Sequence, residues 1–274
     1  MKQQVLGFIG AGNMAASLIS GLIADHYPAD RIWVSDVNEA ALTHLAERYG
    51  VHTTPRNAEV AEHAEILVLA VKPQILRAVV EELAGPLQAR HPLLVSIAAG
   101  ITAVSIDRWA GGSQAIVRCM PNTPAMVKTG ATGLCANAAV SEAQRSQAEA
   151  ILRAVGLTVW VEDETLLDAV TALSGSGPAY FFLMMEAMED AGVALGLDRD
   201  TARLLSQQTA LGAGRIAIES DEPPAELRRR VTSPGGTTER AIATFEEGGL
   251  SPLVAKAMEA AARRAAELSL QLGT

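Results

Sequence analysis

Strand-forming runs recur along the first 161 residues and then stop. Short β-rich stretches at 5–9, 31–35, 66–71, 93–97, 115–119, 132–136 and 158–161 alternate with helix candidates such as 14–25, 39–49, 74–83 and 142–155. That alternation reads as βαβ units and a mainly parallel, doubly wound sheet. Beyond residue 162 the segments 165–173, 179–195, 199–219, 224–231, 237–247 and 252–272 are rich in Ala, Leu and Met. Gly175, Gly177, Gly196, Pro223-Pro224, Pro234-Gly235-Gly236 and Gly248-Gly249 punctuate them. The expected organisation is an α/β domain over 1–161 followed by an all-helical domain over 162–274. Residues 179–195 are apolar on nearly every side. A helix of that kind must be buried, and in so small a domain the expected cover is a second subunit.

The first strand runs into Gly10-Ala11-Gly12-Asn13-Met14-Ala15, which fits G-x-G-x-x-G/A. The first glycine allows a tight turn, the second lets a pyrophosphate approach the backbone, and the small Ala15 lets helix and strand pack closely. The helix that follows offers unpaired N–H donors and a favourable dipole to phosphates. Glycine turns also serve as plain strand–helix connectors. Here a strand precedes, a helix follows, and a second strand ends at Ser35-Asp36 about 20 residues on, as the dinucleotide fingerprint requires. Asp36 is suited to accept from the 2′-hydroxyl of an adenine ribose, which favours NADH, and no arginine stands beside it for a 2′-phosphate. Its alternative is to start a turn or cap the next helix. Ala70-Val71-Lys72-Pro73 and Ile97-Ala98-Ala99-Gly100 end two further strands, at the edge of a parallel sheet that faces the ligand. Lys72 then meets a phosphate or carboxylate, or is solvated. The small residues 97–100 admit a nicotinamide, or pack a loop.

Two motifs stand out in the helical half. Ser174-Gly175-Ser176-Gly177-Pro178-Ala179-Tyr180 is either a helix kink, with Ser176 as cap, or a loop projecting towards the cofactor. Ser233-Pro234-Gly235-Gly236-Thr237-Thr238 opens a helix whose N–H groups suit a small carboxylate, with the Thr238 hydroxyl beside them. An ordinary capped helix start is the other reading. No histidine lies in this half, since His26, His44, His52, His63 and His91 all fall in the first third. The lysines are Lys2, Lys72, Lys128 and Lys256, and none follows a glycine-rich helix segment as in 3-hydroxyacid dehydrogenases. The chemistry should therefore demand little general acid catalysis.

Composition excludes several classes. The 274 residues are 49% hydrophobic and 19% charged, which supports a sizeable core. A net charge of −9 argues against nucleic acid as a partner. Cys119 and Cys135 cannot make a disulfide framework or a zinc cluster, so no metal is expected and a reducing cytoplasm is the simplest compartment. No uncharged apolar run reaches the roughly 18 residues of a membrane span. The apolar start of the chain imitates a signal peptide, but Gly7, Gly10, Gly12 and Asn13 break it.

Together the motifs resemble pyrroline-5-carboxylate reductases. The resemblance rests on residues 7–14, Ala70-Val71-Lys72-Pro73, residues 96–100, Met120-Pro121-Asn122-Thr123-Pro124, and the two motifs of the helical half, whose order and spacing are specific to that family. It implies a Rossmann domain followed by a helical dimerisation domain, with dimers that assemble further, commonly into decamers. It implies reduction of 1-pyrroline-5-carboxylate to proline by NADPH or NADH. Implied cofactor contacts are Ile9, Gly10, Ala11, Gly12, Asn13, Met14, Ser35, Asn57, Ala70, Val71, Lys72, Pro73, Ile97, Ala98 and Ala99, with Asp36 added from the fingerprint. Implied substrate contacts are Ser233, Gly236, Thr237 and Thr238, with Glu164 as a further candidate and Thr238 as the catalytic hydroxyl. Arg230 stands where some relatives carry an asparagine that contacts the cofactor. Arg228-Arg229-Arg230 either approaches the cofactor phosphates or forms a solvated face. Two rival readings are a 3-hydroxyacid-type dehydrogenase and a non-catalytic dinucleotide-binding regulator.

Overall fold

Three runs in the first half, residues 6–9, 66–69 and 93–96, are buried at every position. Strands of that kind belong in a sheet covered on both faces. A computed structural model describes residues 4–273 of the chain. In order, it places β1 (Leu6–Ile9), α1 (Asn13–Ala24), β2 (Ile32–Ser35), α2 (Glu39–Tyr49), β3 (His52–Thr54), α3 (Asn57–His63) and β4 (Ile66–Leu69). There follow α4 (Pro73–Glu82), α5 (Ala84–Arg90), β5 (Leu93–Ser96), α6 (Ala103–Trp109), β6 (Ile116–Met120), β7 (Gly130–Ala136), α7 (Glu142–Arg153) and β8 (Gly156–Trp160).

The sheet order is β3-β2-β1-β4-β5-β6-β7-β8. All neighbours are parallel except β6 and β7, which pair antiparallel with Arg118 opposite Cys135 and Cys119 opposite Leu134. Opposed residues share a face, so Cys119 and Cys135 lie on opposite faces and are both free thiols. One core joins Leu6, Phe8 and Val68 to α1, α2 and α7. The other joins Ile9, Leu67 and Leu69 to α3, α4, α5 and α6. Local signals agree: Asn38 caps α2 through Ala41 N–H, Gly50 ends it at φ 70°, and Ser141 and Gln144 form a capping box on α7. The strand β3 was not among those expected. It is three residues long and only Thr54 is buried, so it carries almost no periodicity.

After β8 come α8 (Leu166–Val170), a π turn over Thr171–Gly175, α9 (Gly177–Ala194), α10 (Arg199–Glu219), α11 (Pro224–Arg230), α12 (Thr237–Glu247) and α13 (Leu250–Leu272). Strands end at Trp160, close to the expected change of style, but the compact units divide elsewhere. One comprises residues 4–176 with 261–273, the other residues 177–260. The reason is local packing. A methyl group on Gly133 of β7 would lie 2.7 Å from Val170, so α8 belongs to the sheet. The Ser174–Tyr180 motif is a kink: Ser176 N–H bonds Thr171 O at 2.8 Å, and Ser176 is the C-cap of the π turn, with right-handed helical dihedrals that lead into α9. Among the described residues no helix is long and apolar enough to cross a membrane.

Within residues 177–260, α9 and α10 pair side by side, and Glu189 bonds both Arg199 and Arg203. Yet only Gly177, Ala202 and Ser206 are buried among the described residues of this unit. Phe181, Phe182 and Leu183 are 66%, 63% and 66% exposed. A unit with so little core requires an outside apolar partner. Leu183→Asp should therefore give dissociated or insoluble protein. Light scattering on the unmodified chain should give a mass above 28.7 kDa, and a native mass at that value would refute the requirement.

Candidate active site

The turn after β1 is held by its neighbours. Gly10 N–H bonds Ser35 O at 2.7 Å, Ala11 N–H bonds Asp36 Oδ2 at 2.7 Å, and Ala70 N–H bonds Ile9 O at 2.8 Å. Gly10 has φ 105°, and a methyl group there would lie 2.8 Å from the Ala70 carbonyl oxygen. The fold itself therefore requires Gly10. Gly12 differs. Its φ is −70°, a conformation open to any residue, and a methyl group on it would meet nothing within 4 Å. Packing gives no reason for a glycine at 12, whereas a phosphate set against the backbone does. The N–H groups of Gly12, Asn13 and Met14 have no partner among the described residues. A cradle with free donors at a helix N-terminus fits a dinucleotide pyrophosphate.

The loops beside the turn hold the other expected cofactor residues. Ile9 is wholly buried, so only its backbone borders the turn. Ser35 is also fully buried, and its hydroxyl donates to Asn57 Oδ1 at 2.8 Å. It orients Asn57 and leaves the Asn57 side-chain N–H groups for a ligand. Asp36 binds two backbone N–H groups, Ala11 through Oδ2 and Asn38 through Oδ1, at 2.7 and 2.8 Å. It starts a turn, and the residue that caps α2 is Asn38. Lys72 is exposed and precedes Pro73 at the start of α4. Ala98 is buried, and Ala99 is exposed at the end of β5. Residues 9–14, 35–36, 57, 70–73 and 97–99 thus share the carboxyl edge of the sheet, where the order turns from β1 to β4.

Glu164 lies in the same unit. Its Oε1 accepts from Ala103 N–H at 2.6 Å and from Arg118 at 2.9 Å, which ties α6 to β6. Burial pushes the nearby Asp168 carboxyl above its usual range, with Arg118 opposing and Glu164 adding to the rise. Nothing in the local sequence marked Arg118, whose role appears only once β6 and β7 are paired.

The Ser233–Thr238 segment lies in the other unit and opens α12. Gly236 N–H donates to Ser233 O at 3.0 Å, and Gly235 N–H to Glu239 Oε2 at 2.8 Å. The N–H groups of Thr237, Thr238 and Glu239 are without partners among the described residues, and Thr238 is half-buried. Gly235, Gly236, Thr237, Glu239, Arg240 and Ala243 line a cavity of about 450 Å³. The expected donor set of Gly236 to Thr238 therefore narrows to Thr237 and Thr238. Arg228, Arg229 and Arg230 are each paired, with Glu246, with Glu226, and with Glu222 together with Glu226. They form a solvated ionic face.

Known proteins carry the same combination. Residues 164–268 match the family model for pyrroline-5-carboxylate reductase dimerisation, and residues 5–100 match that for NADP oxidoreductase, coenzyme F420-dependent. Over 273 residues the chain is 53% identical to pyrroline-5-carboxylate reductase of Pseudomonas aeruginosa, covering 100% of both. The chain belongs to the pyrroline-5-carboxylate reductase family. A reductase of this family from Coxiella burnetii superposes with a TM-score of 0.94 at 48% identity, over 97% of this chain and 98% of that one. The Plasmodium falciparum reductase solved with NADP bound gives 0.85 at 30% identity, over 98% and 99%. The expected fold class, a Rossmann-like α/β domain and then a helical dimerisation region, is that of the reductase family. The dimerisation match also agrees with a homo-oligomer built through the helices.

Two outcomes follow from the turn. Gly12→Ala should melt within about a degree of the unmodified reductase, yet raise the Michaelis constant for the dinucleotide at least about tenfold, some 1.4 kcal/mol. Thermal unfolding and steady-state kinetics check the two halves. Asp36→Ala should weaken NADH and NADPH alike, because it orphans the Ala11 N–H. Asp36→Asn keeps an acceptor there and removes charge, so it should shift preference towards NADPH. Equal cofactor preference in Asp36→Asn and the parent would remove the charge of Asp36 from selection.

Proposed function

We propose that this chain reduces 1-pyrroline-5-carboxylate to L-proline with NADPH or NADH, and that Thr238 carries the substrate chemistry. The observation that carries the reading is the α12 turn, with its free N–H donors and hydroxyl and no histidine or lysine in its unit before Lys256. A cyclic imine needs little more. Once protonated it is already electrophilic at the carbon that accepts hydride. The N–H groups of Thr237 and Thr238 hold the carboxylate, with Ser233 and Gly236 shaping the turn. The Thr238 hydroxyl bonds the ring nitrogen and orients it. Glu164 is a further candidate for the substrate, with Oε1 bonded to Ala103 N–H and Arg118.

NAD(P)H supplies the hydride. The chain's part is to hold it: Gly12, Asn13 and Met14 at the pyrophosphate, Asp36 and Asn57 at the adenine ribose, Lys72 and Pro73 alongside, and Ile97, Ala98 and Ala99 at the nicotinamide. Reacting carbons must be held within roughly 3–3.5 Å, in line. A 3-hydroxyacid-type dehydrogenase would require a lysine after a glycine-rich helix segment, which the helical half does not carry, and a non-catalytic regulator would have no use for the α12 turn.

The functional division is drawn at 161/162, a reading supported by the dimerisation match beginning at residue 164. The dimer assembles further, to a decamer; the apolar side chains bare on α10, such as Leu204, Leu205 and Leu211, as well as those on α9, support more than one contact. Its place is the cytoplasm, in keeping with two unpaired thiols.

Oxidation of NADH and of NADPH, each with and without pyrroline-5-carboxylate, tests the activity. Oxidation that does not depend on the imine would overturn it. Thr238→Ala should leave cofactor binding intact and lower kcat/KM for the imine about ten- to a hundredfold, the worth of one hydrogen bond to a charged group. The loss should grow between about pH 6 and 9, as free imine is less often protonated. Thr238→Ser should recover much of the activity.

A further inference from the structure

The α12 turn contains a carboxylate that the proposed reaction does not use. Glu239 is the third residue of α12, and its Oε2 accepts the Gly235 N–H at 2.8 Å. A glutamate at this helix position commonly reaches back to the N-cap N–H. Here the N-cap is Gly236, whose N–H is already bonded to Ser233 O. Glu239 therefore reaches one residue further, to the glycine with φ 71°. Two internal bonds close the turn on the side away from the helix, and the N–H groups of Thr237 and Thr238 are left open.

Two roles are physically available to such a group, and they differ in sign. As a competitor, the Glu239 charge would repel an incoming carboxylate from the helix N-terminus. As a clamp, its hydrogen bond would keep Gly235 left-handed and the turn in its donor-presenting form. The geometry separates them: the carboxylate sits on Gly235 N–H and makes no bond to the Thr237 or Thr238 N–H.

We propose that Glu239 is a positioning residue that clamps the 233–238 turn through Gly235 N–H, so that the Thr237 and Thr238 N–H groups are preset for a small carboxylate substrate. The proposal rests on the reading that this turn takes the substrate carboxylate. Without the clamp, the turn must be ordered at each binding event, and that cost falls on substrate affinity. It does not fall on the cofactor, whose residues lie in the other unit.

The test uses the full-length protein and its Glu239→Ala and Glu239→Gln variants. Expected for Glu239→Ala is a KM for pyrroline-5-carboxylate raised about three- to tenfold, the scale of one exposed hydrogen bond. The KM for NADPH and kcat should stay within about twofold. Hydrogen exchange of the substrate-free protein should show a faster Gly235 amide in the same variant. Glu239→Gln keeps an acceptor oxygen and should restore both readouts. A lowered substrate KM in Glu239→Ala would make Glu239 a competitor and overturn the clamp. Faster exchange with an unchanged substrate KM would reduce it to a helix cap and overturn the proposal equally. An unmodified protein inactive on pyrroline-5-carboxylate would instead overturn the substrate reading itself, and with it the ligand proposed for the turn.

Discussion

The chain leaves β1 for one face of the sheet and β4 for the other, and that reversal governs what the sheet unit can do. Two crossovers that part in this way open a crevice at the carboxyl edge. The backbone at that edge must still satisfy its polar groups wherever water is excluded. Gly10 N–H and Ala70 N–H do so by continuing the ladder to Ser35 O and Ile9 O, and Ala11 N–H does so through Asp36. One residue later the pattern stops, and Gly12, Asn13 and Met14 are left with donors that no described residue takes. The boundary between structural and ligand-facing backbone thus falls between Ala11 and Gly12, two residues that sequence inspection treats as one motif.

The same division explains how much was legible beforehand. Continuous apolar runs such as residues 6–9 and 66–69 announce a sheet buried on both faces, and the G-x-G-x-x-A turn announces its ligand edge. Periodicity cannot see a three-residue strand, which is why β3 was missed. Nor can it see pairings between distant segments. Ser35 was expected at the cofactor as a contact, yet it lies beneath Asn57 and orients it. Glu164 was expected at the substrate, yet one of its oxygens ties α6 to β6 through Arg118. Only Glu239 left a local trace, since a threonine pair followed by glutamate at a helix start is close to a capping box.

The helical unit follows a different logic from the sheet. Its helices were predictable from composition, and so was their need for cover, because α9 is apolar on nearly every side. What sequence could not give is the extent of the shortage. With Gly177, Ala202 and Ser206 as the only buried residues described between 177 and 260, the unit lacks a core of its own. Association supplies apolar burial that the fold of one chain does not, so folding and assembly of this half become a single event. A site built on α12 inherits that dependence.

The long helix α13 has a consequence for the order in which the protein can be made. Its first half belongs to the helical unit, and from residue 261 it belongs to the sheet unit. There Leu272 packs on the core of α4 and α6, and Gly273 O accepts from Ser105 and Arg108. The helical unit is thus an insertion within the sheet unit. On a ribosome the strands through β8 emerge early, but the segment that finishes their packing emerges only after all of residues 177–260. The sheet unit must wait, incomplete, for the rest of the chain to be translated, and a pause or truncation within the insertion would leave α6 uncovered.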